Sequence, residues 1–219
     1  MSNPPAGASL RSPIFSSVLA FFGQDCILCA GDSANEMVCA RCVASLPLLA
    51  AEVHRVVAPF EYRFPVDRLV QRFKFAGDLA VGRWLALQLA TRARREPRPH
   101  LLIPVPLTRA RLRTRGFNQS VEIARAVSRV LYVPAAMRLL ERTRDAPPQS
   151  GLTRRARRAN LRGAFRCPRN ALTGRHVALI DDVVTTGATA DAAARALKRA
   201  GAVRVDVWAI ARTPDSRNG

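Results

Sequence analysis

The sequence predicts an α/β fold: a mainly parallel, twisted sheet covered by helices, preceded by a small module that carries four cysteines. The apolar segment 177–180 ends in Asp181 and Asp182 and leads through a turn rich in Thr and Gly to an alanine-rich helix over residues 191–200. Other short apolar segments alternate with segments of helical spacing, which is the pattern of parallel strands joined by crossover helices. Two Cys-x-x-Cys pairs near the beginning of the chain indicate the separate module.

The first residues are predicted to precede the folded core. Residues 1–22 combine a disordered start, rich in Pro, Ser and Gly, with a short helix over the apolar run 14–22. That run is too short to span a bilayer, and no small-residue cleavage motif follows it. We therefore expect a cytoplasmic protein without a membrane span, with the cysteine module at residues 23–50 and the larger domain at residues 51–219.

The clustered cysteines have the spacing of a structural zinc site. Cys26 and Cys29 form one Cys-x-x-Cys pair, Cys39 and Cys42 form the other, and nine residues separate the pairs. Four thiolates satisfy the tetrahedral preference of Zn²⁺ and leave no open position. Disulfides are the alternative, but they need an oxidising compartment that the chain does not indicate. Cys167 is isolated, and three further residues are interpreted as structural or surface histidines: His54, His100 and His176.

The middle of the chain is predicted to hold a strand and two helices. Residues 60–64 suit a strand, and apolar side chains then recur at three- and four-residue spacings on both sides of Gly77, which separates the helices. Lys74 lies just before this break and either reaches a phosphate or belongs to a solvated helix face. Residues 92–99 form a charged linker with prolines.

The next strand, at residues 100–105, leads into an arginine-rich loop. Pro104 and Pro106 end the pairing of this strand, and a helix over residues 119–130 follows the loop. The loop closes on Gly116 and carries Arg109, Arg111, Arg113 and Arg115. Guanidinium groups match phosphate oxygens bidentately, so the loop suits a phosphate ligand. A solvated basic loop and a nucleic-acid contact are the alternatives.

Two further strands are predicted towards the end of the chain, and a long basic segment follows the first of them. The first strand is predicted at residues 137–141, and arginines fill the segment 142–166, most densely between residues 154 and 162. At helical spacing, these arginines also suit a DNA backbone. The final strand is predicted at residues 203–211, after Gly201 as the residue that ends the preceding helix.

The turn after the two aspartates has the chemistry of a sugar-phosphate site. Hydroxyls and approachable backbone N–H groups at the start of a helix bind a monophosphate well, and this turn supplies Thr185, Thr186, Gly187 and Thr189. The carboxylates of Asp181 and Asp182 accept hydrogen bonds from sugar hydroxyls or hold hydrated Mg²⁺. Together these groups describe a ribose 5-phosphate site. The alternative is an ordinary strand–helix unit, and the sequence lacks the Gly-x-x-x-x-Gly-Lys motif of a Walker-type NTPase.

The segment 176–189 resembles the phosphoribosyl-pyrophosphate (PRPP) motif of type I phosphoribosyltransferases, and the whole chain resembles the ComF family. The wider resemblance rests on that motif, on Pro104-Val105-Pro106, on residues 115–119 and 147–165, and on the cysteine pairs. The ComF family joins a zinc-ribbon-like module to a phosphoribosyltransferase domain and is associated in bacteria with competence and the use of external DNA. The resemblance covers most of residues 26–211 and implies a sheet of the type I phosphoribosyltransferase kind.

The resemblance also implies a role for each part of the site. Asp181 and Asp182 would hold the ribose hydroxyls and help organise Mg²⁺, and the 5-phosphate would lie in a cradle of Thr185, Thr186, Gly187, Ala188 and Thr189. The pyrophosphate would meet Arg109, Arg113 and Arg115, and segment 142–166 would close over the substrate. The implied reaction transfers ribose 5-phosphate to a nitrogen nucleophile and releases pyrophosphate. Purine-salvage relatives carry an aspartate where this chain has Thr185, which leaves the acceptor open.

The charge of the chain supports a second hypothesis. The chain has 35 basic and 16 acidic residues, a formal net charge of +19, and its two lysines are Lys74 and Lys198. Such basicity favours polyanionic partners without choosing between nucleic acid and a phosphorylated small molecule. The alternative is a DNA-uptake accessory protein that binds single-stranded DNA or competence proteins, with a sensory or vestigial PRPP site. Against it, the basic segments lack the interleaved aromatics of a stacking platform. A third hypothesis makes the cysteine module a protein-docking element.

Overall fold

The computed structural model describes residues 25–34, 36–48, 56–143, 161 and 163–213. The chain forms two compact units, the first ending at Ser45 and the second beginning at Leu46. The predicted helix at residues 14–22, His54 and the arginines between residues 154 and 162 lie outside the described ranges. Within those ranges, no helix has the length and apolar character needed to cross a membrane. The cytoplasmic location stays a prediction.

The described part of the first unit is built around its cysteines. A tight turn follows Cys26, where the N–H of Ala30 donates to the carbonyl of Cys26 at 2.7 Å and the N–H of Cys26 donates to the carbonyl of Gly31 at 2.8 Å. The helix α1 (Ala40–Ser45) starts directly after Cys39. The N–H of Cys39 donates to Cys26 Sγ at 3.3 Å, so the backbone of one pair contacts the sulfur of the other.

The described residues of the second unit alternate between strands and helices. The strands are, in chain order, β1 (Val56–Val57), β2 (Phe60–Glu61), β3 (Leu101–Pro104), β4 (Glu141–Arg142), β5 (Phe165–Arg166), β6 (His176–Val184) and β7 (Arg204–Arg212). The helices are α2 (Val66–Phe75), α3 (Leu79–Ala93), α4 (Arg109–Arg115), α5 (Gln119–Leu131) and α6 (Ala188–Arg199).

The predicted parallel sheet is confirmed. Its strand order is β1–β7–β6–β3, β2 also pairs with β7, and every pairing is parallel. Strand β6 is central, because Ala178 lies opposite Leu102 of β3 on one side and opposite Asp206 of β7 on the other. Parallel strands bring their carboxyl ends to one edge of a sheet. The segments that follow β3 and β6 therefore lie side by side.

Helices cover both faces of this sheet. On one face, Val177 and Leu179 of β6 belong to the same core cluster as Leu197 of α6. Because successive side chains of a strand point in opposite directions, the buried Ala178 and Ile180 lie on the other face, where α3 and α5 pack against β7 and β6. A strand buried on both faces needs a continuous apolar run, and residues 177–180 provide one.

The two helices predicted around Gly77 are also confirmed. Helix α2 ends at Phe75, and α3 begins at Leu79 with Asp78 as its N-cap, whose side chain accepts from the N–H of Val81 at 3.1 Å. Gly77 has φ of +66°, a left-handed conformation that residues with a Cβ adopt at an energetic cost. The break between the helices is therefore a property of the local sequence.

Two boundaries near the candidate site differ from the prediction. Strand β6 continues to Val184, so the two aspartates lie within the strand and not beyond it; Asp181 pairs in register with Ala209 because β7 continues alongside. Helix α6 begins at Ala188, three residues before the predicted start. Gly187 makes this early start possible, since its φ of +74° turns the chain sharply out of the strand.

The predicted arginine loop is wrong, because these residues form the short helix α4. The side chain of Thr108 caps the helix by accepting from the N–H of Arg111 at 3.4 Å, and Gly116 ends it with φ of +75°. None of the seven helical residues is buried. The helix therefore lacks the apolar spacing on which a sequence-based prediction depends.

The strand predicted at residues 137–141 is also wrong in extent. Residues 137–140 form turns and bends, and only Glu141 enters β4, which pairs antiparallel with β5 in a separate two-stranded sheet, Glu141 opposite Arg166. Leu140 is nevertheless buried. The apolar pattern predicts the burial of this residue correctly, but the residue is buried by packing and not by pairing in a strand.

A buried hydrogen bond between His176 and Asp206 joins β6 and β7 at their amino ends. His176 Nε2 lies 2.8 Å from Asp206 Oδ2, and Arg204 Nε donates to Asp206 Oδ1 at 2.9 Å. Both His176 and Asp206 are buried. His176 thus has a structural position, at the end of the sheet opposite to the two aspartates.

Candidate functional site

The two aspartates lie at the carboxyl end of the central strand and differ in their contacts. Asp181 Oδ1 accepts from the backbone N–H of Asp182 at 2.9 Å and from Ser120 Oγ at 3.4 Å. Asp182 Oδ1 accepts from the N–H of Val183 at 2.6 Å and forms an ion pair with Lys74 Nζ at 2.9 Å. Elements distant in sequence, α2 and α5, therefore hold the acidic pair from two sides.

The environment of Asp181 disfavours its charged form. Burial raises the pKa of its carboxyl, the neighbouring charge of Asp182 raises it further, and the pKa reaches about 7. Hydrogen bonds from Asp182 N–H and Ser120, together with the charge of Lys74, act in the opposite direction. The site thus holds two carboxyl groups, and the single positive charge of Lys74 does not balance both of them.

The turn after β6 has the geometry of an anion site at a helix start. Gly187 is the N-cap of α6, and Thr186 Oγ1 accepts from the N–H of Ala188 at 3.5 Å. Asp181 and residues 183–190 together line a small concavity of about 30 Å³. The structure therefore brings together Asp181 and all five predicted phosphate-binding residues: Thr185, Thr186, Gly187, Ala188 and Thr189.

The predicted arginines divide into two groups. Arg109 and Arg113, four residues apart on α4, line a cleft of about 830 Å³ between α4 and the segment that leads into β4. Arg115 faces elsewhere: its Nη1 donates to Gln119 Oε1 at 3.3 Å, and its guanidinium lies 5.4 Å from the centre of the Phe75 ring. Only Arg109 and Arg113 of the three are thus placed to meet a ligand in this cleft.

The start of α5 connects the cleft with the acidic pair. Asn118 caps α5 by accepting from the N–H of Ser120 at 3.0 Å, and its amide donates to the carbonyl of Val105 at 3.1 Å. Asn118 also lines the 830 Å³ cleft, whereas Ser120 contacts Asp181. The start of α5 therefore contacts two chemically distinct regions, one rich in arginine and one acidic.

Sequence analysis missed the contacts of Lys74 and Ser120 with the acidic pair. The sequence predicts that Lys74 either reaches a phosphate or belongs to a solvated face, whereas in the structure it contacts Asp182. A signal was available, because Lys74 is one of only two lysines in a chain with 35 basic residues. Ser120 gives no such signal, since serine is common in the first turn of a helix.

The four clustered cysteines fit a zinc ion. All four Sγ atoms lie within 4.8 Å of one another, and those of Cys29 and Cys39 are 3.8 Å apart. A tetrahedral zinc with Zn–S bonds of about 2.3 Å places its sulfurs about 3.8 Å apart. All five cysteines, each within the described ranges, are free thiols, and the isolated one is Cys167.

The protonation of this cluster is uneven. Burial raises the pKa of Cys26, but hydrogen bonds from the backbone of Cys39, Leu28 and Cys29 outweigh it and lower the pKa to about 6. The hydrogen bond with Cys29 raises the pKa of Cys42 to about 12. A thiolate is thus available in the cluster at neutral pH, which favours capture of a metal cation.

Comparison with known proteins identifies the class and then the family. The phosphoribosyl transferase domain family matches residues 118–218, which lie within the second unit, so this part of the chain is a domain of that class. Competence protein F of Haemophilus influenzae is 33% identical over 80% of this chain and 78% of its own length. DNA utilization protein YhgH of Escherichia coli O157:H7 is 36% identical over 82% of this chain and 79% of its own length. The chain belongs to the ComF family.

More distant similarities extend to other proteins. Competence protein ComFC of Bacillus subtilis is 29% identical over 82% of this chain and 73% of its own length. Among solved structures, a glutamine PRPP amidotransferase from B. subtilis matches 64% of this chain and 30% of its own, with 17% identity and a TM-score of 0.44. A purine phosphoribosyltransferase from Pyrococcus horikoshii matches 64% of this chain and 78% of its own, with 19% identity and a TM-score of 0.40.

Proposed function

We propose that the second unit binds PRPP with Mg²⁺ and transfers its ribose 5-phosphate to a nitrogen acceptor, with release of pyrophosphate. The observation that carries this proposal is the juxtaposition at the end of β6, where the turn of residues 185–189 and Asp181 line one concavity. Membership of a phosphoribosyltransferase class supports the choice of ligand. In the proposed reaction the bond from the ribose C1 to the pyrophosphate oxygen breaks, and a bond from C1 to nitrogen forms.

Each group at this edge has a task suited to its chemistry. The carboxylates of Asp181 and Asp182 accept hydrogen bonds from the ribose hydroxyls, and their oxygens are the hard ligands that Mg²⁺ prefers. Bound Mg²⁺ would neutralise negative charge on the pyrophosphate. The hydroxyls and backbone N–H groups of the turn hold the 5-phosphate at the start of α6.

The arginines of the cleft serve the leaving group in this proposal. Arg109 and Arg113 carry delocalised charge that matches phosphate oxygens bidentately. Arg115 does not contact the leaving group in this proposal; its contacts with Gln119 and Phe75 hold the end of α4 in place. Thr185 cannot act as a carboxylate base, so the proposal leaves the deprotonation of the acceptor to a group outside this turn.

The test is a thermal-shift titration with PRPP, with Mg²⁺ either added or omitted. Chelators are avoided because they would also strip zinc. At about 100 times the dissociation constant, PRPP should stabilise the parent by about 2.7 kcal/mol, and only with Mg²⁺. Asp182→Asn should abolish the effect, while Asp67→Asn, in the first turn of α2 and away from the turn of residues 185–189, should retain it. If PRPP leaves the parent unchanged in both conditions, the proposal fails.

A second candidate function is the handling of nucleic acid, with the PRPP site as a sensor or a vestige. It is favoured by the lining of the 830 Å³ cleft, where four arginines (Arg109, Arg113, Arg138 and Arg142) face a single acidic residue, Glu141, among the described residues. The names of the relatives, competence protein and DNA utilization protein, point to the same activity. Arginine-lined grooves bind phosphate backbones largely without regard to sequence.

A further inference from the structure

Lys74 places a positive charge beside the acidic pair, Asp181 and Asp182. Its Nζ lies 2.9 Å from Asp182 Oδ1, and the side chains of Lys74 and Asp182 are only 17% and 15% exposed. Lys198, the other lysine of the chain, donates to the carbonyl of Val203 at the far end of α6. A lysine that is largely withdrawn from water needs a compensating partner, and here that partner belongs to the proposed binding site.

The position of Lys74 is held by packing at the end of α2. The Phe73 ring packs against the Phe117 ring with 5.6 Å between centres, and Gln119 Nε2 donates to the carbonyl of Lys74 at 3.5 Å. The guanidinium of Arg115 lies over Phe75. Residues on both sides of Lys74 are thus anchored to the turn between α4 and α5.

This arrangement has a consequence for cations. An ammonium group beside Asp182 offsets one of the two carboxylate charges and uses the Oδ1 atom that a metal ion would otherwise approach. Lysine suits this task because its charge is compact and it donates hydrogen bonds but cannot accept them. The unliganded site therefore already contains a cation.

We propose that Lys74 is a positioning residue: a built-in counter-ion that fixes the Asp182 carboxylate and keeps free divalent metal out of the acidic pair until the sugar phosphate arrives. The admission of metal when the sugar phosphate arrives rests on the proposed PRPP function, whereas the exclusion of free metal does not. Lys74 thereby couples α2, which lies outside the matched domain residues 118–218, to the site.

The test compares Lys74→Met with Lys74→Arg, and Lys198→Met serves as the matched control. Binding of Mn²⁺ alone to the zinc-loaded protein is measured at pH 8 by electron paramagnetic resonance, and binding of PRPP with Mg²⁺ by calorimetry. We expect Lys74→Met to bind Mn²⁺ about tenfold more tightly than the parent and PRPP about tenfold more weakly. Lys74→Arg should restore both towards the parent, and Lys198→Met should match the parent.

The gained Mn²⁺ site must disappear in the Lys74→Met, Asp182→Asn double variant. Lys74→Gln replaces Lys74→Met if the latter unfolds, as judged by its thermal midpoint. Unchanged Mn²⁺ affinity in a folded neutral variant would overturn the counter-ion proposal. If the parent fails to bind PRPP, the proposed function fails, and the Mn²⁺ measurement still decides the role of Lys74.

Discussion

At the scale of single residues, two adjacent carboxylates dominate the site. Asp181 and Asp182 are consecutive residues of one strand, and their charges interact. Asp181 has Ser120 and a backbone N–H as hydrogen-bond donors, whereas Asp182 has the lysine. Burial, and after it the neighbouring charge of Asp182, raises the pKa of Asp181 to about 7.

The first prediction concerns Asp181→Asn. The folded-state pKa of Asp181 lies above its ordinary value of 3.8, so between these pH values the folded protein binds more protons than the unfolded chain. The stability of the parent should therefore fall as pH rises through this window. We expect Asp181→Asn to be more stable than the parent by about 1–3 kcal/mol at pH 8, with a smaller difference at pH 5.

Urea unfolding without Mg²⁺ or phosphate measures this difference at both pH values. Asp67→Asn, a half-buried carboxylate in the first turn of α2, is the control and should change the free energy of unfolding by less than about 1 kcal/mol. A variant that is less stable than the parent at pH 8 would contradict the prediction, as would a difference that does not depend on pH.

The second prediction concerns Gly82, where α3 approaches α2. A Cβ at this position would lie 2.4 to 2.9 Å from three ring carbons of Phe73, and that ring is buried. We expect Gly82→Ala to destabilise the protein by about 1–3 kcal/mol, because overpacking forces the ring or the backbone to move. Denaturant unfolding measures the loss, and Arg83→Ala, exposed on the same helix, should lie within about 0.5 kcal/mol of the parent. A Gly82→Ala protein more stable than the parent would contradict the prediction and would mean that α2 moves to accept the added Cβ without a cost in free energy.

At the scale of elements, helix α4 shows how a short helix can present charge. Thr108 and Gly116 set its ends, and its exposed residues include the two arginines, Arg109 and Arg113, that share a face and line the cleft. In a loop the same two side chains would not be held at a four-residue helical spacing. The helical conformation of residues 109–115 therefore bears on the proposed ligand binding.

The cysteine module depends on its sulfur atoms more than on apolar burial, which gives the third prediction. We expect about one zinc per chain in the parent and loss of zinc in Cys26→Ser, because the remaining three thiolates no longer close a tetrahedral site. Amide hydrogen exchange should then lose protection across residues 25–45, while the sheet residues of the second unit keep theirs. Elemental analysis and exchange mass spectrometry measure the two effects.

Cys167→Ser is the matched control for Cys26→Ser, since Cys167 lies outside the cluster. It should retain zinc and the exchange pattern of the parent. Equal protection of residues 25–45 in zinc-free Cys26→Ser and in the parent would mean that the module folds without metal.

At the scale of the whole molecule, the net charge of +19 attracts any polyanion, so binding alone cannot separate the two candidate functions. The salt dependence of binding can separate them. If the four arginines of the cleft contact phosphates of single-stranded DNA, the logarithm of the affinity should fall with the logarithm of salt concentration with a slope of about −3. PRPP in an enclosed site should respond less.

Fluorescence anisotropy with a thymidine oligonucleotide measures this fourth prediction. Replacing both Arg109 and Arg113 by Gln should reduce the slope by about 1.4, whereas Arg129→Gln, exposed on α5, should leave the contribution of the cleft intact. An identical slope in the double variant would exclude the cleft as the DNA contact.

Much of the architecture followed from local patterns. The central strand, the two helices around Gly77 and helix α5 are specified by apolar spacing and by turn residues within each segment. Prediction failed where that spacing was absent or misleading: α4 buries none of its residues, and Leu140 is buried without belonging to a strand. Local sequence patterns predict which residues are buried. They do not predict strand pairing, because the hydrogen-bond partners of a strand lie elsewhere in the chain.

The sequence by itself determined the chemistry that neighbours in the chain create: the acidic pair, the Thr-Gly turn that follows it, and the two cysteine pairs. Only the tertiary structure decided which distant groups complete the site, namely Lys74 at Asp182 and Ser120 at Asp181. The reason is physical. A turn or a metal knuckle is defined by a few consecutive dihedral angles, whereas an ion pair between α2 and β6 exists only after helices and sheet have packed and excluded water from both charges.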